Sequence, residues 1–304
     1  MKYKKKSKVD LMLTPEKESN TKINWYPGHM LKATKQLIER IKKVDIIFEI
    51  RDARAPLMTS NKELKRIIGE KSKLVLVNKS DLVDPHSLKL WKDWFKENEP
   101  NSVFISSTQK DNLNTIVTMA YKILNEKYKL SNPDKERAKK IRAMIIGIPN
   151  CGKSTLINSL VNRKAARAAN KPGHTTAQQW INLDQETQLL DTPGIMPPRV
   201  ESDNHGKILS ALHAIPDNII GKDEVALFII KYLLNNFKSE LLSFYEIDES
   251  FSSPVEFLDL LALKRGALNK GASIDYERVY QLIINDFRAG SICKFSFNKP
   301  PTRG

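Results

Sequence analysis

Apolar positions along the chain fall into two regimes. Between residues 25 and 200, short β-rich apolar runs at 46–50, 74–77, 103–105, 143–146, 180–183 and 188–190 alternate with helically spaced stretches at 64–68, 88–95, 113–124 and 156–161. Strands alternating with helices predict a parallel sheet covered on both faces, an α/β domain. A Pro27-Gly28 turn leads into one more helix over 30–43, where Leu31, Leu37, Ile38 and Ile41 recur at helical spacing. After about residue 199 the strand pattern stops. Helices are expected at 225–237, at 253–263 and at 276–287, where Tyr276, Val279, Tyr280, Ile283, Ile284 and Phe287 form one stripe that ends before Gly290. Ser253-Pro254-Val255-Glu256 reads as a capping box with proline at the first helical position. The expected organisation is a basic tail over 1–24, an α/β domain over 25–200 and a smaller all-α domain over 201–304. Residues 131–140, opening Ser131-Asn132-Pro133-Asp134, form a charged connector where a conventional fold would have its two termini.

Charge adds a partner class to this picture. The 304 residues carry 50 Lys and Arg against 35 Asp and Glu, a formal net charge of +15, which favours a polyanion, nucleic acid before anionic membrane. The excess lies in the tail and the α/β domain, because from residue 205 onward twelve basic side chains meet twelve acidic ones. Within the helical region, Lys264, Arg265, Lys270, Arg278, Arg288, Lys294, Lys299 and Arg303 face only three acids, so its distal half is a second candidate basic surface. The tail holds seven lysines against three acids, which suits either plain solvation or contact with a phosphate backbone. Two cysteines, Cys151 and Cys293, and no Cys/His cluster at zinc spacing argue against a disulfide framework or a structural metal. No apolar segment follows the basic start and no run approaches eighteen apolar residues, so a cytoplasmic protein with no membrane association is expected. No obligate oligomer is expected either.

Specific chemistry enters at Gly147-Ile148-Pro149-Asn150-Cys151-Gly152-Lys153-Ser154, a G-x-x-x-x-G-K-S run set between an apolar strand and an amphipathic helix that continues through Thr155. That context makes it a phosphate-binding loop. Backbone N–H groups and the helix N-terminus hold the phosphates, Lys153 reaches the β/γ oxygens and Ser154 supplies a hydroxyl to Mg²⁺. Asp191-Thr192-Pro193-Gly194 ends a later strand, where a carboxylate can hold the metal through water and the Gly194 N–H can sense the γ-phosphate. Between them, 163–176 is polar, basic and broken by Pro172-Gly173, as a mobile loop should be; Thr175 is the first choice for a metal-ligating hydroxyl and Thr176 its rival. Arg163, Lys164, Arg167 and Lys171 make that loop either an RNA-facing patch or an ordinary solvated segment. Asn78-Lys79-Ser80-Asp81 follows an earlier strand. Asp81 can accept from both the N1–H and the N2 amine of guanine, Asn78 and the Lys79 stem shape the base pocket, and Ser106-Ser107 close over it. Together these motifs specify GTP, with GDP as product, over ATP. The base reader precedes the phosphate loop, so the motif order is circularly permuted.

That order resembles the circularly permuted GTPases. More closely, Trp25-Tyr26-Pro27-Gly28-His29-Met30, Asp52-Ala53-Arg54-Ala55-Pro56, the run from Gly147 to Thr155, Pro172-Gly173-His174-Thr175-Thr176 with Gln178-Gln179-Trp180, and Asp191 to Ile195 are similar to the bacterial ribosome biogenesis GTPase A family, over residues 23 to about 298. The resemblance implies a GTPase of late large ribosomal subunit assembly that binds precursor particles in its GTP form and leaves after hydrolysis, with the helical domain contacting rRNA. It also implies a catalytic role for His29: where Ras-like proteins orient the attacking water with glutamine, this chain has Ile195, which has no hydrogen-bonding side-chain atom. His29 otherwise caps a helix. Asn150 stands where potassium-activated relatives ligate K⁺, and its other reading is a loop asparagine bonding backbone. The basic extension before Ile23, Cys151 and His174 depart from the family pattern without removing a group the mechanism needs. Two further readings stay open: a GTP-gated RNA-binding scaffold, and a GTPase of RNA modification or translation.

Overall fold

The computed structural model describes residues 37–60, 68–132, 140–165, 180–192, 200–248 and 250–302. They divide into two compact units. One comprises the described residues up to 192 together with Leu212–Ile215 and 294–302; the other comprises 200–211 and Pro216–Cys293.

Six strands make the sheet of the first unit: β1 (Ile46–Asp52), β2 (Ser72–Asn78), β3 (Ser102–Phe104), β4 (Ile141–Gly147), β5 (Trp180–Asn182) and β6 (Thr187–Leu190), in the order β3-β2-β1-β4-β6-β5. All neighbours are parallel except β5, which runs antiparallel to β6. The wholly parallel sheet expected from the pattern is corrected at this edge. Only four residues separate the two strands, too few for a crossover, so they close a hairpin in which the Leu183 N–H donates to the Thr187 carbonyl at 2.8 Å.

Central β1 is buried at every position. Its Ile47 belongs to a core with Leu37, Ile41, Val44, Ile68, Met144, Ile146 and Leu190, while Val75, Val77 and Phe104 pack with Trp91 and Phe95 in a second core. Glu49 and Arg51 interrupt the apolar run of β1 and remain buried. Arg51 donates to both Glu49 oxygens at 2.9 Å and to both Glu99 oxygens at 2.8 and 3.0 Å, and Lys73 reaches Glu49 at 3.0 Å. The buried Glu49–Arg51 pair is thus completed by Glu99 and Lys73, both partly exposed to solvent.

Helices α1 (Pro85–Asn98), α2 (Leu113–Ser131) and α3 (Lys153–Ala165) follow β2, β3 and the phosphate loop. Asp84 starts α1 by accepting from the Ser87 N–H at 2.8 Å, with proline in the first turn. Of the two remaining expected helices, 37–43 of 30–43 and Ile68 of 64–68 fall among the described residues; 37–41 and Ile68 are helical, whereas 42–43 already form a turn.

The second unit contains α4 (Asp203–Ala211), α5 (Asp217–Ile220), α6 (Lys222–Asn236), α7 (Lys238–Tyr245), α8 (Pro254–Arg265) and α9 (Tyr276–Ala289), with α6 packed against α4, α7, α8 and α9. Ser253 caps α8 by accepting from the Glu256 N–H at 3.2 Å; the Glu256 carboxylate returns not to Ser253 but to the Ser252 N–H and hydroxyl, at 2.7 and 2.8 Å. The α9 stripe buries Val279, Tyr280, Ile283, Ile284 and Phe287.

Two expectations for the distal half change here. Residues 212–215 and 294–302, expected within the helical domain, pack with the sheet-bearing unit. The expected basic surface loses Arg288, which is largely buried and donates to the Ser210 and Ala211 carbonyls as well as to Asp217, holding α4 and α5 to α9. Lys264 pairs with Glu246, and the Arg265 guanidinium lies over the Tyr245 ring.

Candidate nucleotide site

The site lies at the carboxyl ends of β2, β1, β4 and β6, where parallel strands hand over to loops. At the end of β4 the backbone passes so close to β1 that a Cβ on Gly147 would stand 2.5 Å from Ile50 Cγ2 and 2.6 Å from the Ile50 carbonyl oxygen. Glycine is therefore dictated by packing. Asn150 has φ 57° and Gly152 φ 101°, and a Cβ on Gly152 would lie 2.3 Å from Asn78 Nδ2. These turns deliver the loop to the N-terminus of α3, whose free N–H groups suit phosphate. Ser154 and Thr155 are exposed in the first turn, and the buried Lys153 ammonium donates to the Gly147 and Ile148 carbonyls at 3.0 and 2.8 Å. The Cys151 thiol is buried and donates to the Ile148 carbonyl; burial pushes its pKa up, so it packs as an apolar group.

Asn78 joins this loop to the base reader. Its Nδ2 donates to the Cys151 carbonyl at 3.0 Å, and its Oδ1 accepts from the Ser107 N–H at 3.0 Å and the Ser107 hydroxyl at 2.8 Å. Lys79, in the left-handed conformation, spans the same gap: its Nζ donates to the Asn150 carbonyl at 2.8 Å and pairs with Asp52 at 2.9 Å. Ser80 fixes the turn against the next strand through its N–H and hydroxyl, both donating to the Ile105 carbonyl. Ser106 accepts from the Gln109 N–H, and the Ser159 hydroxyl of α3 donates to the Ser107 carbonyl at 2.7 Å.

Asp81 is the informative member. Its Oδ1 is buried and has no hydrogen-bond partner among the described residues. A buried acceptor without a donor costs about 1–3 kcal/mol, and the guanine N1–H and N2 amine are donors of the right kind. The site fits a guanine base by this test.

Asp52 and Arg54 enter the site although the motif pattern gave them no role beyond the family likeness. Arg54 donates to both Asp52 oxygens at 3.0 and 2.9 Å, and Asp52 in turn holds Lys79. Burial alone would raise the Asp52 carboxyl; the Arg54 and Lys79 cations outweigh it and hold the pKa well below the usual carboxylate range. An Asp-x-Arg beginning at the last residue of β1 was the available signal. At the end of β6, burial pushes the Asp191 carboxyl up, partly opposed by the Lys153 charge and the Thr192 N–H, while the Thr192 hydroxyl anchors to the Ile145 carbonyl at 2.5 Å. An acid short of positive charge beside the phosphate-loop lysine suits a hydrated divalent cation. Among the described residues, no group of three or more His, Cys, Asp or Glu could hold a metal by itself.

Asn150 Nδ2 donates to the His213 carbonyl at 2.7 Å, within the same unit. His29, Thr175, Thr176, Gly194 and Ile195 lie outside the described residues.

A phosphate loop and a guanine reader bonded to each other, with the reader's strand first in the chain, define a circularly permuted P-loop GTPase. Residues 142–258 match the family model described as 50S ribosome-binding GTPase, a match that begins at β4 and so after the base reader. The chain is 38% identical to ribosome biogenesis GTPase A of Bacillus pumilus over 91% of this chain and 99% of that protein, and 30% identical to the Thermotoga maritima protein of the same name over 91% and 95%. The GNP-bound crystal structure of YlqF from T. maritima superposes with a TM-score of 0.62 at 26% identity, covering 88% of this chain and 98% of that one. The chain belongs to the ribosome biogenesis GTPase A family, and it binds and hydrolyses GTP. Among the described residues, no helix is long and apolar enough to cross a membrane.

Proposed function

We propose that this GTPase acts in the cytoplasm at a late step of large ribosomal subunit assembly, binding the precursor particle and its rRNA in the GTP form and leaving after hydrolysis that the particle accelerates. The observation that carries the nucleotide part is the double bond set of Asn78, which holds the phosphate loop and the Ser107 loop at once while Asp81 keeps an unpaired acceptor. The names and near full-length coverage of the relatives support the ribosomal part. The +15 charge supports an RNA partner.

In this reading Asp81 orients the base, the α3 N-terminus and Lys153 hold the β- and γ-phosphates, and the Gly194 N–H follows the γ-phosphate. Ser154, Thr175 and Asp191 would hold Mg²⁺, which would neutralise phosphate charge. In the complex with the particle His29 orients the attacking water, since Ile195 cannot. Asn150 contributes to a K⁺ site beside the phosphates. The helical unit and the basic 163–176 segment, whose first three residues end α3, contact rRNA, with Lys270 and Arg278 the basic side chains of that unit suited to the task now that Arg288 is engaged internally.

The test is GTP turnover with purified immature and mature large subunits. Acceleration by the immature particle, abolished in His29→Ala without loss of GTP affinity, is the expected result. Equal turnover with and without either particle would leave a GTP-gated scaffold instead, and acceleration retained in His29→Ala would remove that histidine's role.

A further inference from the structure

The segment 294–302 follows the helical unit in sequence, yet it packs with the sheet-bearing unit. Two of its backbone contacts fall on loops that end beside the nucleotide site. The Phe295 N–H donates to the Leu82 carbonyl at 3.1 Å, and the Phe297 N–H donates to the Arg54 carbonyl at 2.8 Å. Phe295 is fully buried, and the Arg54 guanidinium lies over its ring at 5.9 Å. The Trp91 indole N–H fastens the segment from the side, donating to the Ser296 hydroxyl at 2.9 Å and to the Asn298 carbonyl at 3.2 Å.

Both loops serve the base reader. Leu82 closes the single 3₁₀ turn Ser80–Leu82 that carries Asp81, and the carbonyl it offers to Phe295 would otherwise be one of the free acceptors at a helix end. Arg54 holds Asp52, and Asp52 holds Lys79. One extended segment therefore bears on Asp81 through the backbone next to it, and on Lys79 through two ion pairs. A turn of three residues has little rigidity of its own.

We propose that residues 295–297 are a positioning element for guanine recognition: they hold the Asp81 turn and the Arg54–Asp52–Lys79 chain in the geometry that reads the base. The proposal rests on Asp81 being the guanine reader. It makes the stretch beyond the helical unit part of nucleotide specificity, so a chain cut after Cys293 would keep its phosphate loop while losing base discrimination.

The full chain, a chain ending at Cys293 and Phe295→Leu are titrated with GTP, with ITP, which lacks the 2-amino group, and with inorganic tripolyphosphate. In the shortened chain the preference for GTP over ITP should fall roughly five- to tenfold, about the worth of one hydrogen bond. Phe295→Leu, which keeps the backbone bonds and the burial but removes the ring beneath Arg54, should lose about two- to fourfold. Tripolyphosphate affinity should not change. If the shortened chain does not fold, Phe295→Leu decides. An unchanged GTP/ITP ratio in a folded variant, or equal losses for all three ligands, would overturn the proposal. Equal binding of GTP and ITP by the full chain would instead remove the Asp81 reading, and this proposal with it.

Discussion

Asn78 Nδ2 stands 3.0 Å from the carbonyl oxygen of Cys151, 73 positions further along the chain. The same side chain accepts two hydrogen bonds from Ser107, so three loops that would otherwise diverge from the sheet edge are tied at one buried amide. Asn78→Ala should leave the Cys151 carbonyl and the Ser107 N–H without partners, lowering stability by roughly 2–4 kcal/mol and weakening GTP binding together with it. Denaturant unfolding and nucleotide titration of the one variant check both; loss of stability with intact affinity would mean that the tie does not shape the site.

Gly152 faces that amide from the other side. An alanine there must place its Cβ 2.3 Å from Asn78 Nδ2 at a φ of 101°. Gly152→Ala is expected to cost about 1–3 kcal/mol in backbone strain alone and to displace either the loop or Asn78. Mutant nucleotide affinity within twofold of the parent, by equilibrium titration, would contradict the contact.

The ion network under β1 and β2 gives a pH dependence. Burial opposes ionisation of Glu49, but the Arg51 guanidinium and then Lys73 outweigh it, and its pKa lies below the ordinary carboxylate value. A depressed folded-state pKa means that the unfolded chain binds the proton more readily. The stabilisation is therefore fully present above about pH 4.5 and is lost as pH falls through the lower folded value. Melting temperatures between pH 7 and pH 3 should fall more steeply for the parent than for Glu49→Gln over the acid end. Arg51→Met, which takes the guanidinium from both carboxylates while Lys73 still donates to each, should cost up to about 3 kcal/mol at neutral pH, and most of that should return when Glu49 and Glu99 are also neutralised.

Asn150 separates two readings of one residue. Its Nδ2 is committed to the His213 carbonyl at 2.7 Å, which leaves Oδ1 as the atom for a monovalent cation. If that oxygen ligates K⁺, GTP hydrolysis should be several-fold faster in potassium than in sodium buffer, and Asn150→Ala should abolish the difference. Equal rates in the two buffers would make Asn150 a structural link to the 212–215 segment and no more.

Local signals carried the strands, most helices and the nucleotide motifs. The β-rich runs, the Ser253 cap and the glycine-lysine-serine turn each depend on a few consecutive residues, so neighbouring side chains alone determine them. The pairing of base reader with phosphate loop was also legible, because a motif that binds one end of GTP predicts a partner for the other. What only the tertiary structure decided involves residues far apart in the chain. Nothing around Glu49 and Arg51 announces that Glu99 and Lys73 will make their burial tolerable. Arg288 counts as surface charge until α9 meets the α4 carbonyls. Asp52 and Arg54 gain their role only because Lys79 folds over them, and 294–302 joins the sheet-bearing unit only because the backbone groups beside Arg54 and Leu82 are there to receive it. Composition and periodicity fix what each segment wants to bury; which partner satisfies a buried charge or carbonyl is settled by three-dimensional proximity, and no pattern along the chain encodes that distance.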